Sequence, residues 1–237
     1  MFKQKNFLLM CLIVFSLIMA SFNAVSARSL KDSLKDRTID PTLLEPPVEE
    51  TQPVYEEDTS RYLTGAGVTM IGDSIMNGNR RIILEQLPDA FIDAKGSRDV
   101  CGGFEAASKL QLEGKLTDVV IVELGTNGPL LKHEPYARGT QNLLELLGTE
   151  RQIFWVTVYC SYSQWMAMNN EYIWELSMTR PNITVIDWYS LAVQHPEWFP
   201  DGVHPNAEGA RNFARLLREA LAEKYQGTHE GSVVLPE

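Results

Sequence analysis

Basic residues are in short supply in this chain: Lys and Arg number 21 against 31 Asp and Glu, for a formal charge of −10. Proteins that bind nucleic acid neutralise its phosphates with clustered Lys and Arg. The acidic balance therefore argues against nucleic acid as a partner, and it gives no support for adhesion to anionic lipid. The apolar fraction of 44% is that of a globular protein, and 237 residues are enough for one α/β domain with appendages.

Cysteine and histidine are also scarce, with three of the first and four of the second. No cluster of His and Cys has the spacing of a metal site, so we expect neither a metal nor another cofactor. Cys11 lies in an apolar segment at the start of the chain. Cys101 and Cys160 are the other two cysteines, and they either pair in an oxidising compartment or remain two unpaired buried thiols.

The start of the chain has the pattern of an export signal. Lys3 and Lys5 precede the apolar run 7–20, which is short for a membrane-spanning helix, and small residues at 25–27 suit cleavage. We therefore predict a signal peptide over 1–27, with an uncleaved signal anchor as the alternative. Either form predicts an extracytoplasmic protein, secreted or anchored to the outer face of the membrane.

Residues 28–65 have no sustained apolar period, and they combine four prolines with clusters of acidic side chains. Such a segment cannot bury enough apolar surface to offset its conformational entropy. We predict a disordered acidic linker over 28–65, a folded domain over 66–225 and a flexible tail over 226–237.

From Val68 onward, short apolar runs alternate with segments of helical pattern. The predicted strands are 68–72, 91–95, 118–124, 152–158 and 183–187, and the predicted helices are 75–87, 103–113, 136–148, 166–179 and 206–224. Continuous apolar runs are typical of parallel strands covered on both faces. The alternation predicts an α/β fold, a three-layer α/β/α sandwich with right-handed crossovers. A flavodoxin-like five-stranded parallel sheet of order 2-1-3-4-5 would bind ligands outside the carboxyl ends of its first and third strands.

Ser74 comes directly after the first predicted strand, where the chain turns into a helix. A serine on such a turn has its hydroxyl exposed beside free backbone N–H groups and the positive end of the helix dipole. This setting suits a nucleophile, because the oxyanion formed on attack finds its donors already in place. The alternative is that Ser74 only caps the helix, as serines at helix starts commonly do.

Two loops that follow neighbouring strands carry candidate oxyanion donors. Asn127 lies in a glycine-flanked turn, from which its amide can donate into the crevice. Alternatively, Asn127 satisfies its own backbone within the turn. In the loop 93–99, backbone N–H groups around Gly96 and Ser97 would face the same crevice, unless the loop is a plain connection.

Asp201 and His204 stand three residues apart, before a helix that Asn206 is expected to cap. A histidine so placed can receive an orienting hydrogen bond at Nδ1 while Nε2 faces a serine, as in a hydrolytic triad. A metal site is the rival hypothesis, but no third and fourth ligands accompany the pair. The remaining histidines are expected to be solvated: His133, His195 and His229.

Four segments resemble, in order, the four sequence blocks of SGNH (GDSL-like) hydrolases. They are GDS at 72–74, the loop 93–99, GTN at 125–127 and DGVH at 201–204. The resemblance covers about residues 66–225 and is strongest to the extracytoplasmic SGNH domain of peptidoglycan O-acetyltransferases. The segments that carry this narrower match are DAKGSR, VVIVELGTNGPL and NITVIDWYSLAVQHPEWFPDGVHPNAEG.

The resemblance implies the SGNH hydrolase fold with Ser74 as nucleophile, His204 as base and Asp201 as its orienter. It also implies an oxyanion hole made of the Ser74 N–H, a backbone N–H near Ser97 and the Asn127 amide. The chain departs from the family at Ser97, where glycine is frequent, with Gly96 just before it.

The chain departs from the family again at 158–165, where the related transferases tend to carry an arginine-containing segment. Tyr162 and Trp165 in this stretch, together with Gly96, are possible substrate-binding residues, and Trp198 is a further aromatic that could stack on a sugar. Aromatic residues at such positions are at least as often packing residues.

These features together predict a serine acyl-transfer enzyme that forms an acyl-serine and passes the acyl group to water or to a sugar hydroxyl. The resemblance favours O-acetyl transfer to, or ester hydrolysis from, cell-wall polysaccharide in a bacterial envelope. The chain lacks the multi-spanning membrane domain that accompanies this module in the transferases, so a separate membrane protein would have to deliver the acyl donor. The competing hypothesis is a non-catalytic cell-wall or carbohydrate-binding module on the same scaffold.

Overall fold

The computed structural model describes residues 58–226. The predicted signal peptide, the linker up to residue 57 and the tail from residue 227 lie outside the described residues. Five strands form one sheet: β1 (Val68–Gly72), β2 (Phe91–Ala94), β3 (Val119–Glu123), β4 (Gln152–Val156) and β5 (Ile183–Ile186). All neighbouring strands are parallel and their order is 2-1-3-4-5, which confirms the predicted sheet.

Six α-helices surround the sheet. They are α1 (Ser74–Gln86), α2 (Val100–Leu112), α3 (Tyr136–Leu147), α4 (Met166–Thr179), α5 (Trp188–Ala192) and α6 (Ala207–Gln226). The predicted helices agree with five of these to within three residues at each end. The fifth helix, α5, was missed because its five residues are too short to show a helical period; Asp187 caps it by accepting from the Ser190 N–H.

Successive side chains of the strands point to opposite faces of the sheet, and each face has its own core. Met70 of β1 and Ile121 of β3 pack with α1, α5 and α6. Ile71 and Val122, the next residues along these strands, pack with α2, α3 and α4. The strands are therefore covered on both faces, as their continuous apolar runs predicted.

The folded region begins earlier than the predicted boundary at residue 66. Thr59–Thr64 form a 3-10 helix, which Asp58 caps by accepting from the Ser60 N–H. Tyr62 of this helix is 3% exposed, and its ring lies 4.5 Å from that of Tyr225 at the end of α6. The prediction of a linker up to residue 65 was thus wrong at its last residues, because a single turn buried by tertiary contact has no periodic signal.

The two cysteines within the described residues do not form a disulfide. Cys101 lies on α2, with its thiol 3.6 Å from the Pro135 carbonyl oxygen, and Cys160 is buried after β4. No helix among residues 58–226 is long and apolar enough to span a membrane.

We predict that Tyr62→Ala destabilises the domain by about 3 kcal/mol, because truncating a buried aromatic ring removes its contacts and leaves a cavity. The measurement is the free energy of unfolding in urea. Leu112→Ala is the control, since Leu112 is 89% exposed and its truncation should change stability by less than about 0.5 kcal/mol. An equal effect of the two substitutions would show that the 3-10 helix is not part of the folded domain.

Candidate active site

Ser74 is the first residue of α1, directly beyond the carboxyl end of β1. The helix is capped by Asp73, whose Oδ1 accepts a hydrogen bond of 2.9 Å from the Ile75 N–H. The alternative in which Ser74 serves as the cap is therefore wrong, and its hydroxyl is directed elsewhere. Ser74 Oγ lies 2.9 Å from Nε2 of His204.

The histidine that meets Ser74 is oriented by the carboxylate three residues before it. Asp201 Oδ2 lies 2.7 Å from His204 Nδ1, and Oδ1 accepts from the backbone N–H groups of Val203 and His204 at 3.0 and 2.8 Å. These donors hold the pKa of Asp201 well below its ordinary value, so the group remains a carboxylate. A carboxylate at Nδ1 fixes the ring tautomer that leaves Nε2 as the proton acceptor toward the serine.

The loop that carries Asp201 and His204 is fixed at several points. Gly202 has a φ of +85°, and a Cβ there would lie 2.4 Å from Ser161 Oγ, so glycine is required. The Gly202 carbonyl accepts from the Ser161 N–H at 2.9 Å. Asn206 caps α6, as predicted, by accepting from the N–H groups of Glu208 and Gly209.

Asn127 lies beyond β3, half-buried beside the serine turn. Its Nδ2 donates to Asp73 Oδ2 at 2.9 Å and to the Arg98 carbonyl at 3.2 Å. Neither bond is to its own turn, so the alternative of a self-satisfied turn residue is not what the structure shows. These two bonds use both hydrogens of the Asn127 amide. In this structure the amide therefore has no N–H left to donate to an oxyanion.

The loop 93–99 reaches the site through Arg98. Besides accepting from Asn127, Arg98 donates from Nη1 to the Gly72 carbonyl at 3.2 Å and from Nη2 to Asp93 Oδ1 at 2.6 Å. Ser97 is exposed with a φ of +57°, and it lines, with Gly96, an open groove of about 680 Å³ between this loop and α2.

Tyr162 and Trp165 line a second cavity of about 180 Å³, together with Thr126 and Cys160. Tyr162 is 67% exposed. Trp165 is half-buried and donates from Nε1 to the Thr126 carbonyl at 3.2 Å, which places this cavity next to the Asn127 turn.

Two residues in the segment before α6 make packing contacts that the sequence did not predict. Trp198 is 3% exposed and stacks on Trp188, so it packs in the core and cannot contact a sugar. His195 stacks on Trp198 with ring centroids 4.0 Å apart and pairs with Glu197, while 40% of its side chain stays exposed, so it is solvated on one side only. His133 is exposed, as predicted, and His229 lies outside the described residues.

Sequence reasoning missed Glu123, the last residue of β3. Its side chain is 5% exposed and accepts at Oε2 from the backbone N–H groups of Asp73 and Met76. A glutamate at the end of an otherwise apolar strand was the available signal, because acidic residues are almost never fully buried without partners. Within residues 58–226 no group of three or more His, Cys, Asp or Glu could hold a metal ion.

The sequence of this chain is similar to those of several known proteins. No protein-family model matches the chain. The O-acetyltransferase OatA of Staphylococcus aureus is 29% identical over 154 residues, which are 64% of this chain and 24% of that protein. The peptidoglycan O-acetyltransferase OatA of Listeria monocytogenes is 30% identical over 156 residues, or 64% of this chain and 23% of that protein. The chain thus spans about a quarter of the length of the relatives it matches.

Solved structures show the same fold. The C-terminal catalytic domain of Streptococcus pneumoniae peptidoglycan O-acetyltransferase A aligns with a TM-score of 0.57 at 24% identity, over 70% of this chain and 96% of that one. A carbohydrate esterase of family 3 from Talaromyces cellulolyticus aligns with a TM-score of 0.55 at 16% identity, over 68% of this chain and 99% of the other. The predicted resemblance is therefore confirmed: the chain has the SGNH hydrolase fold, and its homologues include peptidoglycan O-acetyltransferases.

Proposed function

We propose that this chain is an exported serine acyl-transfer enzyme that acts on O-acetyl groups of cell-wall polysaccharide through an acyl-serine intermediate. The observation that carries the proposal is the hydrogen-bonded series from Ser74 Oγ through His204 to Asp201, with distances of 2.9 and 2.7 Å. Nucleophile, base and orienter are within the contact distances that this chemistry requires. The homology to O-acetyltransferases supports the choice of acetyl esters.

In the first half-reaction, Ser74 Oγ attacks the ester carbonyl carbon while His204 Nε2 takes the hydroxyl proton. The carbonyl electron pair moves to oxygen and forms a tetrahedral oxyanion. Its collapse breaks the bond to the alcohol, which leaves with the proton returned by His204. In the second half-reaction, an acceptor hydroxyl loses its proton to His204 and attacks the carbonyl of the acyl-serine. Collapse of this second tetrahedral intermediate breaks the bond to Ser74 Oγ, and His204 returns the proton to it.

The oxyanion would be stabilised by donors around the start of α1. The Ser74 N–H belongs to the first helical residue and so has no partner within the helix. Asn127 becomes a second donor if its amide exchanges the 3.2 Å bond to the Arg98 carbonyl for the oxyanion. A backbone N–H near Ser97 is the third proposed donor. Each donor in such a site lowers the activation free energy by up to about 3 kcal/mol.

The acceptor decides whether this chemistry is hydrolysis or transfer. A sugar hydroxyl competes with water when the sugar ring is held beside the acyl-serine and water is excluded. We propose that Tyr162 and Trp165, which line the cavity beside the Asn127 turn, provide an apolar face for the sugar. Gly96, in the groove between the loop 93–99 and α2, would let the polysaccharide backbone approach closely.

The location and partners follow from the segments around this domain. The signal-like residues 1–27 support export to the outer face of the cytoplasmic membrane, where the polysaccharide lies. A transferase needs an acyl donor there, and we propose that a separate membrane protein supplies it. The alternative of a pure binding module is disfavoured, because such a module has no use for a serine hydroxyl held at a histidine base.

We predict that the purified protein cleaves p-nitrophenyl acetate and that Ser74→Ala abolishes the turnover, because the nucleophile is removed. Removal of a triad member lowers kcat by about 10⁶-fold in a serine hydrolase. Addition of chito-oligosaccharides distinguishes the two acceptors: acetylated sugar in the mass spectrum identifies a transferase, and free acetate alone identifies an esterase. Turnover that persists in Ser74→Ala would contradict the proposed nucleophile.

Asp201→Asn should lower kcat for p-nitrophenyl acetate by about 10⁴-fold, because the amide favours the wrong tautomer of His204. Steady-state kinetics with circular dichroism as a folding check is the measurement. Glu197→Gln is the matched control, since Glu197 lies 2.8 Å from the Nδ1 of a histidine outside the site. A comparable loss in both variants would rule out a specific role for Asp201.

Tyr162→Ala should raise KM for the chito-oligosaccharide acceptor about fivefold while leaving the hydrolysis of p-nitrophenyl acetate unchanged, because a lost sugar-stacking contact costs on the order of 1 kcal/mol. Trp174→Ala is the control, as Trp174 is a 43% exposed aromatic residue on α4. An unchanged acceptor KM would place the sugar elsewhere.

A further inference from the structure

Glu123 is positioned by the sheet directly behind the turn that carries Ser74. It is paired with Gly72 in the register of β3 against β1. Its Oε2 accepts from the N–H of Asp73 at 3.1 Å and from the N–H of Met76 at 3.3 Å. One carboxyl oxygen thus holds two backbone donors of the first turn of α1, on either side of the nucleophile.

Glu123 also contacts a second buried acidic residue. Asp73 is 0% exposed, and its backbone N–H donates to Glu123 Oε2 at 3.1 Å. The other contacts of Asp73 are those of the site, since Oδ1 accepts from Ile75 and Oδ2 accepts from the Asn127 amide. Glu123 therefore lies at the start of a chain of hydrogen bonds that leads through Asp73 to Asn127.

Two neighbouring buried carboxyl groups disfavour each other's ionisation, so we expect one of them to keep its proton. Burial, and next the negative charge of Asp73, raise the pKa of Glu123 well above its ordinary value. Burial also raises the pKa of Asp73, but that of Glu123 is raised further, so we expect Glu123 to be the neutral group of the two.

Three further titratable groups lie near this pair: Arg98, His204 and Asp201. The Arg98 guanidinium donates to the Gly72 carbonyl from the loop after β2. His204 lies on the loop before α6, where Asp201 is hydrogen-bonded to it. Among the described residues, the N–H groups of Asp73 and Met76 donate to Glu123 rather than to any of these three groups.

We propose that Glu123 is a positioning residue for the acyl transfer: it holds the turn that carries Ser74 against the end of β3 and, through Asp73, aligns the amide of Asn127. The proposal rests on the proposed function of Ser74. It assigns Glu123 no contact with the substrate. Its effect is on the geometry of the nucleophile and the oxyanion donor, so it acts on kcat more than on KM.

The test compares Glu123→Gln and Glu123→Ala in the full domain. Glutamine keeps the shape of a neutral glutamic acid and can accept the two N–H groups at its oxygen, so kcat for p-nitrophenyl acetate should stay within about threefold. Alanine should lower kcat on the order of 100-fold with little change in KM, because a displacement of about 1 Å of a reacting group has that effect. Labelling of Ser74 by phenylmethylsulfonyl fluoride, followed by mass spectrometry, should slow in parallel.

Thr69→Val is the matched control for the loss of a buried hydrogen bond. Thr69 is 0% exposed on β1, but its hydroxyl bonds to the Lys115 carbonyl at the opposite end of the sheet. The control should lose stability and keep kcat. If Glu123→Ala does not fold, Glu123→Asp replaces it, since the shorter side chain keeps a carboxyl group but cannot reach both N–H groups.

Melting temperatures test the proton on Glu123 without any substrate. A carboxyl group with a raised pKa in the folded state stabilises the protein most below its ordinary value of 4.5, and this stability is lost as the pH rises toward the folded-state pKa. The melting temperature of Glu123→Gln should therefore rise relative to wild type as the pH increases from 4.5. A difference that does not change with pH would show that Glu123 is ionised and would overturn this part of the proposal.

The kinetic outcomes are equally decisive. Wild-type kcat and Ser74 labelling in Glu123→Ala, or in Glu123→Asp in its place, would overturn the positioning role. A loss of kcat in Thr69→Val equal to that in Glu123→Ala would do the same. If wild-type Ser74 neither turns over ester nor accepts the label, it is the proposed function that fails, while the melting temperatures still report on the carboxyl pair.

Discussion

The pairing of β1 with β3 is the constraint on which the site depends. It sets Gly72 opposite Glu123, and a Cβ on Gly72 would lie 2.5 Å from the Met76 side chain and 3.0 Å from Glu123 Oε2. Glycine therefore lets the chain turn sharply into α1 while the buried carboxyl group reaches the N–H groups of the turn. The same pairing brings the two strand ends to one edge of the sheet, where Ser74 and Asn127 face a common crevice.

The other half of the site is local in sequence but is brought to the serine by tertiary structure. Asp201 orients His204 within a four-residue loop, a geometry that depends on the left-handed conformation of Gly202. The serine lies 130 residues away in the chain. The two halves meet because the loop is tied to the segment after β4, through the bond between Ser161 and Gly202, and is continued by the capped helix α6.

Long elements with a clear apolar pattern were predicted well, and short ones were not. The order of the five strands agrees with the flavodoxin-like arrangement predicted for this alternation, one of the few that right-handed crossovers leave. The helix α5 and the 3-10 turn around Tyr62 are held by burial against other elements rather than by periodicity. Trp198 shows that an aromatic residue can be misassigned for the same reason. Nothing in its local sequence distinguishes a core aromatic from a sugar-binding one, and only its packing against Trp188 shows that it belongs to the core.

The sequence by itself determined the fold class, the sheet order and the residue types that meet at its carboxyl edge, because hydrophobic pattern and motif spacing are local properties. Only the tertiary structure decided which atoms are partners. In the structure, Asp73 caps α1, and the Asn127 amide donates to Asp73 and to the Arg98 carbonyl. Glu123 is buried behind the nucleophile. These choices depend on distances between residues far apart in the chain and on the cost of burying a charge, neither of which a sequence pattern records.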